Sequence, residues 1–189
     1  MELTTERLIL RPWKETDAES LFEHAKDPAV GPIAGWPPHR NIEESLDIIR
    51  NVFSGRECYA ICLKSDHHAI GCIELMLNGK TSLTESGDEC ELGYWLGQKF
   101  WGQGLMPEAA RELLRHSFEN LQMRTIWCGY YDGNAKSSRV QEKLGFVYHH
   151  TRENVSVSLL SETRTEHINC LTKERWMKLR DFYNRRNKI

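Results

Sequence analysis

Apolar and polar positions along the chain fall into short runs whose period switches between two and about 3.6. Residues 3–11 set Leu3, Leu8, Ile9 and Leu10 among Arg7 and Arg11, and Pro12 stops the run, so a first strand is expected there. Thr16 and Asp17 can cap a helix to about Lys26, with Ala18, Leu21, Phe22 and Ala25 on one face and Pro28 as its stop. The segment GPIAGWPPH, residues 31–39, is dense in Gly and Pro and reads as a loop. Asn41 caps a second helix in which Ile42, Leu46, Ile49 and Phe53 recur at helical spacing.

Two apolar runs, 58–63 and 69–77, flank Ser65-Asp66-His67-His68 and predict a hairpin. Residues 80–89 are polar and read as a loop, and 90–96 (CELGYWL) as a strand. A glycine-containing turn then leads into a helix from about Leu105, striped by Ala109, Ala110, Leu113, Leu114, Phe118 and Leu121. Residues 124–130 read as a strand, and Asn134 and Gly145 bracket a short helix. Stretches 146–160 and 165–171 complete the sheet, and 172–189 reads as helix. Hairpins mixed with strand–helix units predict an α/β fold in the broad sense, or α+β with a mixed sheet.

Composition narrows this reading. With 189 residues the chain is expected to form a single domain over 1–189, with 172–189 a C-terminal helical extension. Hydrophobic residues at 40% and charged residues at 28% fit a soluble globular protein. A formal charge of -2 gives no global basic excess, so nucleic acid is not expected as a partner. The tail 172–189 carries seven Lys or Arg against two acidic side chains, which reads first as a solvated helix face. No apolar run approaches the roughly 20 residues of a membrane helix, and the N-terminus lacks a secretory pattern. A cytoplasmic protein without membrane attachment, monomer or homodimer, is the expectation. The six cysteines form no C-x-x-C pair and read as buried free thiols, with no metal site expected.

Two motifs carry chemistry. In the first, Lys99-Phe100-Trp101-Gly102-Gln103-Gly104 joins a strand to a helix. Glycines there permit a tight turn, and the helix start adds unpaired N–H donors and partial positive charge, which suits a pyrophosphate. A Walker lysine is absent, and Pro107 stands where a dinucleotide fingerprint needs its third glycine. The second motif runs from Asn134 through Ser137 and Lys143 to Gly145-Phe146.

Taken in order, the strand ELGYWL, the segment W-G-x-G-x-x-x-E-A (Trp101 to Ala109) and N-x-x-S-x-x-x-x-x-K-L-G-F (Asn134 to Phe146) resemble the GCN5-related N-acetyltransferase family, GNAT. The opening TERLILRPW is similar to its ribosomal-protein N-terminal acetyltransferase branch, the RimJ/RimL-like proteins. The resemblance implies a mixed, twisted, V-split sheet of about seven strands flanked by helices. It implies acetyl-CoA in the split, with its pyrophosphate on Lys99, Gly102, Gln103 and Gly104 and on the N–H groups of Leu105 and Met106. The pantetheine arm would pair with the backbone at Tyr94, Trp95 and Leu96, and Asn134 and Ser137 would face the arm and thioester. Acetyl would pass directly to a primary amine, on a protein N-terminus or a small molecule, in a ternary complex.

Two departures from the family pattern matter. Lys99 stands where the family usually has Gln or Arg, and lacks a planar fork. Gln141 stands where many members place a tyrosine acid, so Ser137 becomes the candidate donor to the leaving thiolate. An amine is mostly protonated at pH 7 and needs a base. Glu91 is the preferred candidate, with Glu89 and Glu74 as alternatives. Glu108 reads as a helix-dipole partner, and Trp36 as either an acceptor-site residue or a loop anchor. A non-catalytic module that binds or senses CoA is the rival class.

Overall fold

The computed structural model describes the backbone of residues 1–186 and the side chains of residues 1–180. Residues 187–189 of the expected terminal helix lie outside the described residues. Eight strands form one sheet in the order β1-β2-β3-β4-β5-β6-β8-β7. They are β1 (Leu3–Thr4), β2 (Leu8–Arg11), β3 (Cys58–Leu63), β4 (Ala69–Leu77), β5 (Glu89–Leu96), β6 (Thr125–Tyr131), β7 (Val147–Val157) and β8 (Glu162–Thr172). Neighbours run antiparallel except β5 and β6, which are parallel.

Eight strands replace about seven because the first run folds back on itself. Leu3 pairs with Leu10, and Thr5 closes the turn by accepting the Leu8 N–H at its hydroxyl, 3.0 Å away. The expected loop at 31–39 also differs. It opens with a short helix, α2 (Gly31–Ala34), with Pro32 in the first turn and Gly35 at φ 96 as its stop.

One face of the sheet carries α4 (Leu105–Arg115), whose Ala109, Ala110, Leu113 and Leu114 bury against Ile73, Leu75, Leu92 and Ile126. Each fully buried Leu or Ile adds roughly 1.5–3 kcal/mol. The α4 stripe ends in a π-helical turn at His116–Asn120, where buried His116 meets Glu57 at 3.0 Å. Its Phe118 stacks on Trp176 of α6 (Lys173–Arg186), so the basic tail docks one apolar face. The opposite face carries α1 (Ala18–Ala25) and α3 (Ile42–Asn51), whose Leu21, Ala25 and Ile49 pack with Trp13, Trp36 and Trp95. Asp17 does not cap α1 with its side chain. It instead forms a two-bonded, buried ion pair with Arg11, at 2.7 and 2.8 Å.

Strand alternation divides β5 between these two layers. Cys90, Leu92 and Leu96 enter the α4 core, whereas Trp95 joins the α1–α3 cluster. Glu91 shares the Trp95 face. All six cysteines are buried and free. Among the described residues no helix is long and apolar enough to cross a membrane, and no His/Cys/Asp/Glu group could hold a metal ion.

Candidate active site

The two parallel strands stay together only briefly. Their pairing runs from Glu89↔Thr125 to Glu91↔Trp127, while β5 continues to Leu96 and β6 to Tyr131. Past Glu91 they part, and a V-shaped gap opens in the sheet. The Gly97 N–H bonds Ile70 O on the β4 side, so backbone alternation turns the peptide groups of Leu92, Tyr94 and Leu96 toward the gap. Side chains reach two of these carbonyls: the Cys128 thiol donates to Leu92 O at 3.2 Å and Trp101 Nε1 to Leu96 O at 2.8 Å. The gap holds a cavity of about 250 Å3 lined in part by Glu74, Glu91, Tyr94, Trp95, Asn134 and Ser137. Trp36 also lines it and meets Trp95 edge-on at 5.6 Å, so its loop does reach the cavity.

The glycine turn lies at one end of the gap. Gly102 and Gly104 adopt φ 75 and φ 76, a left-handed backbone that favours glycine. A Cβ at Gly102 would meet nothing within 4 Å, and no side chain caps α4. The N–H groups at Leu105 and Met106 therefore begin a helix without a side-chain acceptor, which fits an anionic ligand. Lys99 directs its ammonium to Glu23 at 2.6 Å. Gln103 folds back, its Nε2 donating to Lys99 O at 2.8 Å. Two cations unforeseen in the sequence flank the turn. Arg7 donates to Gln103 O at 3.1 Å while pairing with Glu108, and Lys136 stands 4.1 Å over the Trp101 ring. Glu108 also accepts from Arg7 N at 2.8 Å, so it anchors the turn between β1 and β2 to α4.

At the vertex of the gap stands Glu91. Burial, with help from nearby Glu166 and Glu74, pushes its carboxyl up to about 7 against the pull of the Thr81 hydroxyl bond. Burial also raises Glu74 and Glu166. Glu89 is already occupied, accepting from Glu85 N at 3.1 Å and Trp127 Nε1 at 3.3 Å. A second cavity, about 500 Å3, adjoins Glu91 and is lined also by Tyr131, Glu166, Arg152 and the bulged segment 153–156 of β7. Glu166 was missed in the sequence because only strand register brings it here. Tyr131 pairs with Glu166, and a Cβ at Gly129 would come within 2.6 Å of its carboxylate. Arg152 reaches Glu166 at 3.6 Å and Ser82 at 3.1 Å, bridging the cavity mouth.

Across the gap, α5 (Ala135–Leu144) begins at Asn134, whose side chain accepts from Ser137 N at 3.1 Å. Asn134 thus acts as a helix cap while also lining the gap. The Tyr94 hydroxyl lies 3.0 Å from Ser137 Oγ. Gln141, at the position where a tyrosine was expected from the resemblance, is fully buried and donates to Ser137 Oγ at 3.2 Å. Of the residues singled out from the sequence, Glu74, Glu91, Tyr94, Trp95, Asn134 and Ser137 come together around one cavity, while Glu89 and Glu108 serve other partners.

A split mixed sheet, a bare glycine turn at a helix start and a buried carboxylate at the vertex together mark the cleft between β5 and β6. Residues 7–147 match the family described as Acetyltransferase (GNAT) domain, and the chain belongs to that family. It is an acetyl-CoA-dependent N-acetyltransferase. It is 27% identical over 149 residues to "Uncharacterized N-acetyltransferase p20" of Bacillus licheniformis, covering 76% of this chain and 81% of that protein. It is 26% identical over 156 residues to the "[Ribosomal protein uS5]-alanine N-acetyltransferase" of Escherichia coli, covering 77% and 78%. A GCN5-related N-acetyltransferase from Brucella melitensis shares the fold, with a TM-score of 0.82 at 16% identity over 97% of this chain and 84% of that one.

Proposed function

We propose that Glu91 is the general base for an amine that enters through the 500 Å3 cavity and attacks acetyl-CoA held in the gap. The observation that carries this reading is a buried carboxyl pushed up to about 7, lining both cavities at the point where β5 and β6 part. A base with that pKa is half ionised at pH 7 yet strong enough to draw a proton from an ammonium group. The surrounding Glu166 and Glu74 favour a cationic acceptor, a primary amine on a protein N-terminus or a small molecule. The uS5-alanine relative acts on a ribosomal protein by its name, which supports including an alanine-terminated peptide among the acceptors tested.

In this mechanism Glu91 takes one proton from the ammonium, and the freed lone pair forms the C–N bond. Negative charge on the carbonyl oxygen meets β5 peptide N–H groups that face the gap. Collapse breaks the C–S bond. The electron pair leaves on sulfur, which receives a hydrogen bond from Ser137, and the nitrogen's remaining excess proton passes to the thiolate. Gly102, Gly104 and the N–H groups of Leu105 and Met106 would receive the pyrophosphate, with Arg7 and Lys136 supplying charge near the turn. The peptide groups of Tyr94 and Leu96, on either side of Trp95, would pair with the pantetheine arm.

The test is acetyl transfer to a panel of peptides and small amines, read by mass spectrometry of the acceptor. Direct attack predicts intersecting initial-rate patterns and no acetyl-protein adduct. Parallel patterns with a trapped acetyl-enzyme would overturn the ternary-complex reading.

A further inference from the structure

Ser137 receives one hydrogen bond whose direction is fixed by an obligate acceptor on β6. The Gly129 carbonyl, an obligate acceptor, lies 3.3 Å from Gln141 Nε2. That contact fixes which end of the Gln141 amide is nitrogen. Its second N–H then points at Ser137 Oγ, 3.2 Å away on the next turn of α5. Its oxygen takes the Asn169 Nδ2 proton at 2.8 Å, so the amide is held at both ends and is fully buried. Ser137 Oγ must therefore accept from Gln141 and cannot give its own proton back. The Tyr94 hydroxyl stands 3.0 Å from the same Oγ and 3.2 Å from the Ser137 carbonyl, which can take its one proton. With Gln141 donating to Oγ, the serine O–H is directed away from the amide, toward the side of the cavity that Ser137 and Tyr94 line.

We infer that Gln141 is a positioning residue that polarises Ser137 as a hydrogen-bond donor toward the sulfur of the bound acyl donor. This rests on the proposal that the acetyl thioester sits in the gap. The network occupies the place of the tyrosine expected from the resemblance. Gln141 has no acidity of its own, and its role is to determine which way another hydroxyl points. No proton need leave Ser137, because a charge-assisted hydrogen bond alone lowers the energy of the departing thiolate.

The reporter is the thiol of bound CoA, titrated by its thiolate ultraviolet absorbance, with calorimetry establishing that CoA is bound. An ordinary thiol ionises near pH 8.5. In the wild-type complex the bound thiol is expected to ionise about one unit lower, a tenfold change in acidity. Ser137→Ala and Gln141→Met should each return most of that shift, while Ser137→Thr, which keeps the hydroxyl, should retain it. Gln141→Met should also lower kcat about tenfold and leave the KM for acetyl-CoA within twofold. A folded Gln141→Met protein with the wild-type thiol pKa overturns the inference. Should that variant not fold, Gln141→Glu provides the same test, since a carboxylate cannot donate to Ser137. A wild-type protein that binds CoA with an unshifted thiol also overturns the inference but leaves the cofactor reading intact. Failure of CoA to bind at all overturns both.

Discussion

Replacing Glu91 with Gln should raise stability, in a manner that depends on pH, and sharply lower activity. The Glu91 carboxyl ionises near 7 in the fold against an ordinary value of 4.5. A raised acid binds more protons folded than unfolded, so its contribution to stability falls as pH rises from 4.5 through 7. That difference corresponds to about 3 kcal/mol once both states are ionised, at about pH 8. The amide of Glu91→Gln removes the buried charge, keeps the shape and can still accept from Thr81. It also relieves Glu166 and Glu74, which the Glu91 charge opposes. Wild type and variant should therefore unfold alike near pH 4.5. At pH 8 the variant should be more stable by about 3 kcal/mol, or about 6–12 °C in Tm for a chain of this size. Urea unfolding at both pH values measures the gap, and other titrating groups largely cancel between the two proteins. A gap independent of pH, or a variant less stable at pH 8, would refute the claim that Glu91 is held as a destabilised carboxylate.

Three other perturbations probe the scaffold and the turn. Gly104→Ala, at φ 76, should cost about 1 kcal/mol of stability and weaken acetyl-CoA binding at least tenfold in calorimetry, since a Cβ disfavours the turn that bares the helix N–H groups. Lys136→Ala should raise the KM for acetyl-CoA severalfold at low salt, with the difference shrinking as salt screens the exposed cation. Arg11→Met should cost about 3–5 kcal/mol in urea unfolding, because it strands the Asp17 carboxylate beneath β2 and α1.

Periodicity made much of this architecture legible. The stripe Ala109–Leu114, the caps at Asn41 and Asn134 and the stops at Gly145 and Pro28 each act locally, and local signals survive in a sequence. The first strand and the 31–39 segment depart from their sequence pattern for a related reason. A two-strand hairpin closed by Thr5 and a one-turn helix started by Pro32 are too short to express a period. The candidate site divides similarly. Glu91, Asn134, Ser137 and the glycine turn lie within recognisable motifs. Glu166, Arg152 and Thr81 have no such signal, because they reach Glu91 only through the register of β6 with β8, the bulged β7 and a loop fold. Lys99 brings a charge that the sequence shows plainly, but Glu23 of α1 holds that charge to one side. Gln141 read as a lost catalytic group, since its partners Gly129 and Asn169 lie on strands distant in sequence.

The most direct measurement is the pH dependence of kcat/KM for an amine acceptor at saturating acetyl-CoA, in wild type and Glu91→Gln. The wild-type rate should rise tenfold per pH unit below about 7 and then level before the acceptor's own ionisation intervenes. The Glu91→Gln rate should be lower by roughly 10²–10⁴ with that break removed. A variant that retains both the rate and the break near 7 would contradict the assignment of Glu91 as the base.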